Sequence, residues 1–374
     1  MKLFGWKSAA PEARPPLSRY GGTGMTFGDW PRGYEAQVRA GYVDNAVAQR
    51  AVKLVAESVG AAPLSASSPA IVALAGARSG GQALLETVAA QLLLHGNAFV
   101  QLLDDGAGGV AELFALRPER VSVEPDANGW PAAYRYRVAD RVTRLSPDGP
   151  RPDVVHIKSF NPVDDHLGLG CLGAASGAIA IHNAAAVWNK ALLDNAARPS
   201  GALVYDPGDG SALAPAQFER LKRELEANFS GERNAGRPML LEGGLSWQAM
   251  SLTPADMDFV ALKAAAAREI ALAFGVPPML LGLPGDATYA NYREANRALW
   301  RLAVLPLANA ILSALVQALK GWFPDAAMAV DLNQVTALAE DRERLWAQVA
   351  GADFLTPEEK RAMLGIPHGQ SSHG

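Results

Sequence analysis

The chain has 374 residues, 49% of them hydrophobic, which is ample for a packed core and for two or three compact units. Lys and Arg total 34 against 38 Asp and Glu, a net charge of −4, so no global basic field exists to clamp phosphates; any nucleic acid is guided rather than gripped. The single Cys171 excludes an internal disulfide, and the six scattered His give no zinc spacing, so a cytosolic protein without metal or other cofactor is expected.

Met1 to Lys7 lacks the apolar run of a secretory signal, and the Pro- and Gly-rich stretch up to Gly33 reads as a flexible arm. Val47, Ala51, Leu54, Val55 and Val59 share one helical stripe, which predicts a helix over Asp44–Val59 with Asp44 able to cap its first turn. A second helix runs from about Gly81 to His95 and is stopped by Gly96 and Asn97. Short alternating segments follow: Ala98 to Leu103, then VAELFAL, ERVSVEP, AAYRYRV, RVTRL and VVHIK. They form an antiparallel β region with turns at Asn128-Gly129 and at Asp105 to Gly109.

From Leu172 to Ala197 the chain becomes a long helix with alanine at ten positions and only Lys190 and Asp194 charged. Small side chains let backbones approach closely, so this helix expects neighbours on more than one side, either from its own chain or from copies of it. A buried central helix of a monomeric α/β domain is the alternative. Gly201 to Met250 reads as a β-α-β insertion: GALVY, a helix over Pro215–Phe229 with a buried stripe of Phe218, Leu221, Leu225 and Phe229, and a strand pair in RPMLLEGGLSWQAM. Thr253, Pro254 and Asp256 open the next helix, which ends at Gly275 before Pro277 and Pro278. Beyond it lie an irregular segment, MLLGLPGDATYA, a long helix from about Asn291 to Phe323, and a last helical unit from Asp341 to Leu364. The uncharged run Leu302–Leu319 approaches the roughly 20 residues that span a membrane. Asn309, Ser313 and Gln317 nevertheless make a polar stripe along it and Pro306 interrupts its start, which predicts a helix buried on one face.

One motif points to enzyme chemistry. Gly168, Gly170 and Gly173 spell GLGCLG ahead of a helix, as in a dinucleotide-binding loop of an oxidoreductase. That loop requires its glycines directly at a strand end, whereas SFNPVDDHL separates them from VVHIK, and the ribose-binding acid is missing from its place. Neither GxxxxGK[ST] nor GxSxG occurs. Cys171 sits at a helix start, where a thiolate would be stabilised, but reads as a small buried side chain. Asp164, Asp165 and His166 read as a solvated turn rather than a metal site. No catalytic, cofactor or metal residue is assigned, and a non-enzyme is expected.

The order of segments resembles the portal proteins of tailed phages, especially the long-tailed group and the related gene transfer agents of bacteria. The resemblance spans about Asp44 to Gly369 through HGNAFVQLL, LFALRPERVSV, DVVHIKSF with GLGCLGAA, RPSGALVY, MLLEGGLSWQAMSLTPADMDF, REIALAFGVPPMLLG, TYANYREANRALW and ADFLTPEEKRAMLGIP. The family's glycine loop normally carries Ser and Pro where this chain has Cys171 and no proline.

The resemblance implies an α+β, portal-type subunit. Residues 1–33 are an arm, 34–171 the first part of a β-rich wing, 172–200 a stem helix, 201–252 a β-α-β clip, 253–275 a second stem helix, 276–332 a channel loop with a long wing helix, and 333–374 a small helical crown. It further implies a ring of twelve copies at one capsid vertex, a channel for double-stranded DNA, and contacts with the terminase large subunit, a head–tail adaptor and the major capsid protein, with no membrane. The protein would be in the bacterial cytoplasm during assembly and at the portal vertex of the particle afterwards. On that reading Lys190, Lys263, Arg268, Asp286, Thr288 and Tyr289 face the DNA. Glu219, Arg220, Arg223, Glu224, Glu232 and Arg233 lie on the clip toward terminase or adaptor, where they equally fit a plain solvated face. Another head–tail structural protein is the alternative.

Overall fold

The computed structural model describes residues 33–79, 81–194, 201–206, 208, 214–229, 245–249, 259–283 and 288–365. Tyr34–Val38 (α1) passes through a wide π turn at Arg39–Val43 into Ala46–Gly60 (α2). Leu64–Ala66 (β1), Pro69–Gly76 (α3) and a hairpin of Arg78–Ser79 (β2) with Gln82–Ala83 (β3) lead to Leu84–His95 (α4). Six strands follow: Asn97–Asp104 (β4), Val110–Leu116 (β5), Val121–Pro125 (β6), Pro131–Val138 (β7), Arg141–Leu145 (β8) and Val154–Lys158 (β9). Cys171–Asp194 (α5), Gly201–Tyr205 (β10), Pro215–Phe229 (α6), Leu245–Ala249 (β11) and Phe259–Ala273 (α7) come next. After a tight turn at Pro278–Leu281, Tyr289–Leu299 (α8) continues through a second π turn at Trp300–Val304 into Leu305–Leu319 (α9). Met328–Val330 (β12), Ala339–Ala350 (α10) and Pro357–Met363 (α11) complete the order.

The expected antiparallel region forms two three-stranded sheets, ordered β5-β4-β9 and β6-β7-β8. Phe99, Leu116, Tyr134, Leu145 and Val154 make a small core shared by these sheets. The main core gathers one stripe from each of several helices: Val55 and Val59 of α2, Val88 and Leu92 of α4, Ile179 of α5, Ile270 of α7, Ile311 and Leu315 of α9. Each such side chain contributes about 1.5–3 kcal/mol of burial. β1 pairs with β12, Leu64 against Val330, which ties the start of the chain to its late residues.

β10 pairs with β11 in antiparallel register, Gly201 against Ala249, so the ends of α5 and α7 that adjoin this insertion lie together. α5 and α7 therefore run antiparallel. They pack against each other, and small side chains on both are buried: Ala175, Ala178 and Ala185 on α5, Ala266, Ala267 and Ala271 on α7. The end of α5 and the start of α7 are largely exposed, with Val187, Val260 and Leu262 in solvent, and Ile181 and Leu272 are exposed as well.

Several sequence expectations are corrected or refined. Asn45, not Asp44, caps α2: its side chain accepts the Ala48 amide at 2.9 Å, while Asp44 closes the preceding π turn. Either residue type suits a cap, and the π turn decides which one reaches the first-turn amides. Phe218 is 56% exposed rather than buried, and Leu221 is half-buried. The side chains of Leu225 and Phe229, and Thr253, Pro254 and Asp256, lie outside the described residues. Asn309, Ser313 and Gln317 are exposed as expected, with Ile311, Leu312, Leu315 and Leu319 buried opposite. Pro306 is accommodated by the π turn, in which the Leu305 amide reaches back to the Trp300 carbonyl, so the missing donor falls where helical pairing is already widened.

Candidate functional site

The glycines of GLGCLG do structural work at one junction. Gly96, in the left-handed region at φ 78°, ends α4. A methyl group on Gly168 would stand 2.1 Å from the Gly96 carbonyl oxygen, and one on Gly170 would stand 2.6 Å from that of Leu94. Only glycine permits backbone to lie on backbone this closely. Gly173 faces no atom within 4 Å, so the third glycine of the motif has no such requirement.

Asn97, 1% exposed, stitches the junction. Its Nδ2 donates to the Gly168 carbonyl at 3.0 Å and to that of His95 at 3.1 Å, and its Oδ1 accepts the Gly168 amide at 2.7 Å. His156 Nε2 lies 2.9 Å from the same Oδ1, and its Nδ1 lies 3.1 Å from the Tyr134 hydroxyl. Because Asn97 Oδ1 only accepts, His156 carries its proton on Nε2 and accepts from Tyr134. Its ring stacks on Phe99 at 4.2 Å. Burial, helped by Lys158 and His95, pushes the His156 pKa down to about 3, and burial pushes that of Tyr134 up to about 12. Both are neutral, and they lock the small sheet core to the start of α5. Nothing in sequence periodicity marks Asn97 or His156; the HGN tripeptide after a helix was the available signal.

Cys171 begins α5 half-buried, and burial raises its thiol pKa. Asp164 accepts the amides of His166 at 2.7 Å and Leu167 at 3.0 Å, so DDH is a hydrogen-bonded turn, with His166 Nε2 at 2.6 Å from the Gly129 carbonyl. Among the described residues no cluster of three metal-ligating side chains occurs.

The candidate channel residues sit on the antiparallel pair and on the start of α8. Lys190 and Arg268 are exposed on α5 and α7, each with interactions of its own. Lys263 is half-buried beside His182, whose pKa is lowered by burial and then by the Lys263 charge. Asn45 ties this stretch to α2, donating to Asn183 Oδ1 at 2.8 Å and approaching His182 Nδ1 at 3.2 Å; Asn183 in turn donates to the Ala40 carbonyl at 2.8 Å. Thr288 caps α8 by accepting the Asn291 amide at 3.2 Å. Tyr289 is 78% exposed, with the Arg293 guanidinium 5.4 Å above its ring. Asp286 lies outside the described residues.

On α6, Glu219, Arg220, Arg223 and Glu224 are exposed; Arg220 pairs with Glu224 at 2.9 Å, and Arg223 donates to the Glu219 carbonyl at 3.3 Å. Glu232 and Arg233 lie outside the described residues. The structure thus brings Lys263 to His182 and groups the four α6 charges along one helix.

The family profile described as Phage portal protein matches residues 46–365. A protein of Rickettsia bellii (strain RML369-C) is 38% identical over 365 residues, covering 92% of this chain and 93% of the relative. Among solved structures, a chain of the neck of a native gene transfer agent particle, computed with C12 symmetry, is 50% identical with a TM-score of 0.70, covering 91% of this chain and 95% of that one. An HK97 family phage portal protein from Corynebacterium diphtheriae, 20% identical with a TM-score of 0.58, covers 82% of this chain and 96% of that one and shares the fold.

Proposed function

The chain belongs to the phage portal protein family, and on that premise we propose that it forms the ring at one capsid vertex through which double-stranded DNA enters and leaves. The observation that carries this reading is the 50% identity, over 91% of the chain, to a subunit of a gene transfer agent neck with C12 symmetry. Twelve copies around an axis repeat one heterologous interface that closes on itself. The exposed apolar side chains on α5 and α7 supply surface for such packing, since a protein that stayed single would leave them in water. The same likeness favours a gene transfer agent over an infectious phage as the host particle.

Within the ring the segments take the parts set out for them above. The β sheets and α4 form the wing, α5 and α7 the stem, β10, α6 and β11 the clip, and α10 with α11 the crown. Lys190, Lys263, Arg268, Asp286, Thr288 and Tyr289 line the channel, and the charges of α6 with Glu232 and Arg233 face the terminase large subunit or the head–tail adaptor. The wing meets the major capsid protein. The chain is structural and performs no catalysis; the motor that consumes nucleotide is a separate protein. A net charge of −4 suits a conduit, because each neutralised phosphate adds affinity and would slow sliding. Electron micrographs of the purified chain test the proposal: annuli with a central hole support it, and solid discs or a different closed symmetry refute it.

A further inference from the structure

The C-terminal helices are attached in an unusual way. Up to Leu338 the chain is anchored by apolar burial, with Val330, Val335 and Leu338 in the main core. Beyond it, α10 buries only Val349 and α11 buries nothing. Arg342 ties α10 to Asn333, donating from Nε at 2.9 Å, and what links α10 to α8 is charge. Arg297 of α8, with a side chain 13% exposed, donates to Glu340 Oε2 at 2.6 Å and to Glu294 Oε1 at 2.9 Å, and its Nε lies 3.6 Å from Asp341 Oδ2. Arg293, one turn earlier, pairs with the other oxygen of Glu340 and covers the Tyr289 ring. Glu340 and Asp341 also occupy the first turn of α10, where the helix dipole favours anions.

We infer that Arg297 is a positioning residue that straps α10 to α8, so that the start of α8 at Thr288 and Tyr289 and the C-terminal helices move as one unit. The contacts run without a break from Tyr289 through Arg293, Glu340 and Arg297 to Asp341. An almost buried guanidinium holds this line firmly because stranding it unpaired is costly, and screening by salt reaches it less than it reaches an exposed pair. The crown and the channel segment, separate by chain order, are then one mechanical element. The inference rests on these contacts and stands whether or not the portal reading does.

Hydrogen exchange followed by mass spectrometry on the full chain tests it, comparing wild type, Arg297→Met, Arg297→Lys and the isosteric pair Glu340→Gln with Asp341→Asn. The acid pair lies wholly on α10, yet it should speed exchange in both α10 and α8, each by on the order of tenfold, as expected when a largely buried guanidinium loses its half-exposed carboxylate partners. The α2 and α4 amides should stay within about twofold. Arg297→Met should match the acid pair, and Arg297→Lys, which keeps a point charge but not the fork, should fall between. If the acid pair loosens α10 while α8 keeps its wild-type exchange, the strap does not couple them and the inference fails. Loosening that spreads to α2 and α4 also overturns it, since Arg297 would then be part of the core. Failure to form rings would bear on the portal reading alone.

Discussion

Gly168→Ala places a methyl carbon 2.1 Å from the Gly96 carbonyl oxygen and 2.7 and 2.8 Å from backbone atoms of Ser159. No flexible side chain is available to yield, so backbone must move by about 1 Å, which separates Gly168 from both of its bonds to Asn97, at 3.0 and 2.7 Å. Two buried polar groups left short at about 1–3 kcal/mol each, plus about 1–3 kcal/mol of overpacking, put the loss on the order of 5 kcal/mol. At roughly 2 °C per kcal/mol for a chain of this size, the apparent Tm should fall on the order of 10 °C. Gly173→Ala is the matched control: no atom lies within 4 Å and the residue is helical, so the change should be neutral or stabilising by up to about 1 kcal/mol. Thermal unfolding by near-ultraviolet circular dichroism reads both. If Gly168→Ala melts with wild type, or Gly173→Ala loses as much, close packing is not why the glycines stand there. Calorimetric titration with NAD should give no heat.

His156 should make stability fall in acid. Its pKa is about 3 folded and about 6.5 unfolded, so the unfolded chain takes up the proton first; stability is complete above pH 6.5 and is lost as pH falls toward 3. By pH 5 the loss is about 2 kcal/mol, and denaturant titrations should show it in wild type but not in His156→Gln. Asn97→Ala strands the Gly168 amide and two carbonyls and should cost on the order of 3 kcal/mol, visible as a lower midpoint in the same titration. Reversing Lys190, Lys263 and Arg268 together to Glu should leave ring assembly intact while reducing DNA per particle, measured by quantifying protected DNA; unchanged packaging would remove these cations from the channel.

Local structure was widely legible because its signals are local. Alternation marked every strand from Ala98 to Lys158, and Gly96 and Gly275, both with positive φ, marked helix ends. The spacing failure of GLGCLG was also readable, and the structure adds the positive reason for two of its three glycines. What the sequence hid depends on distant partners. The pairing of β1 with β12 joins segments more than 260 residues apart, and the Arg297 strap joins α8 to α10 across more than 40 residues of chain. Helical periodicity marks a face as apolar without saying whether anything covers it, which is why Phe218 was expected in a core and stands in solvent. The Pro-initiated α3 and the helix at Tyr34–Val38 were too short to announce themselves through periodicity.

The most direct test is cryo-electron microscopy of the neck of a particle assembled with this chain, with an epitope tag locating it. Twelve copies of the tagged chain are expected in one annulus around an open axial channel, with α5 and α7 packed against the same helices of neighbouring copies. A tagged chain found away from the vertex, or in an annulus whose axis is closed by protein and leaves no path for DNA, would contradict it.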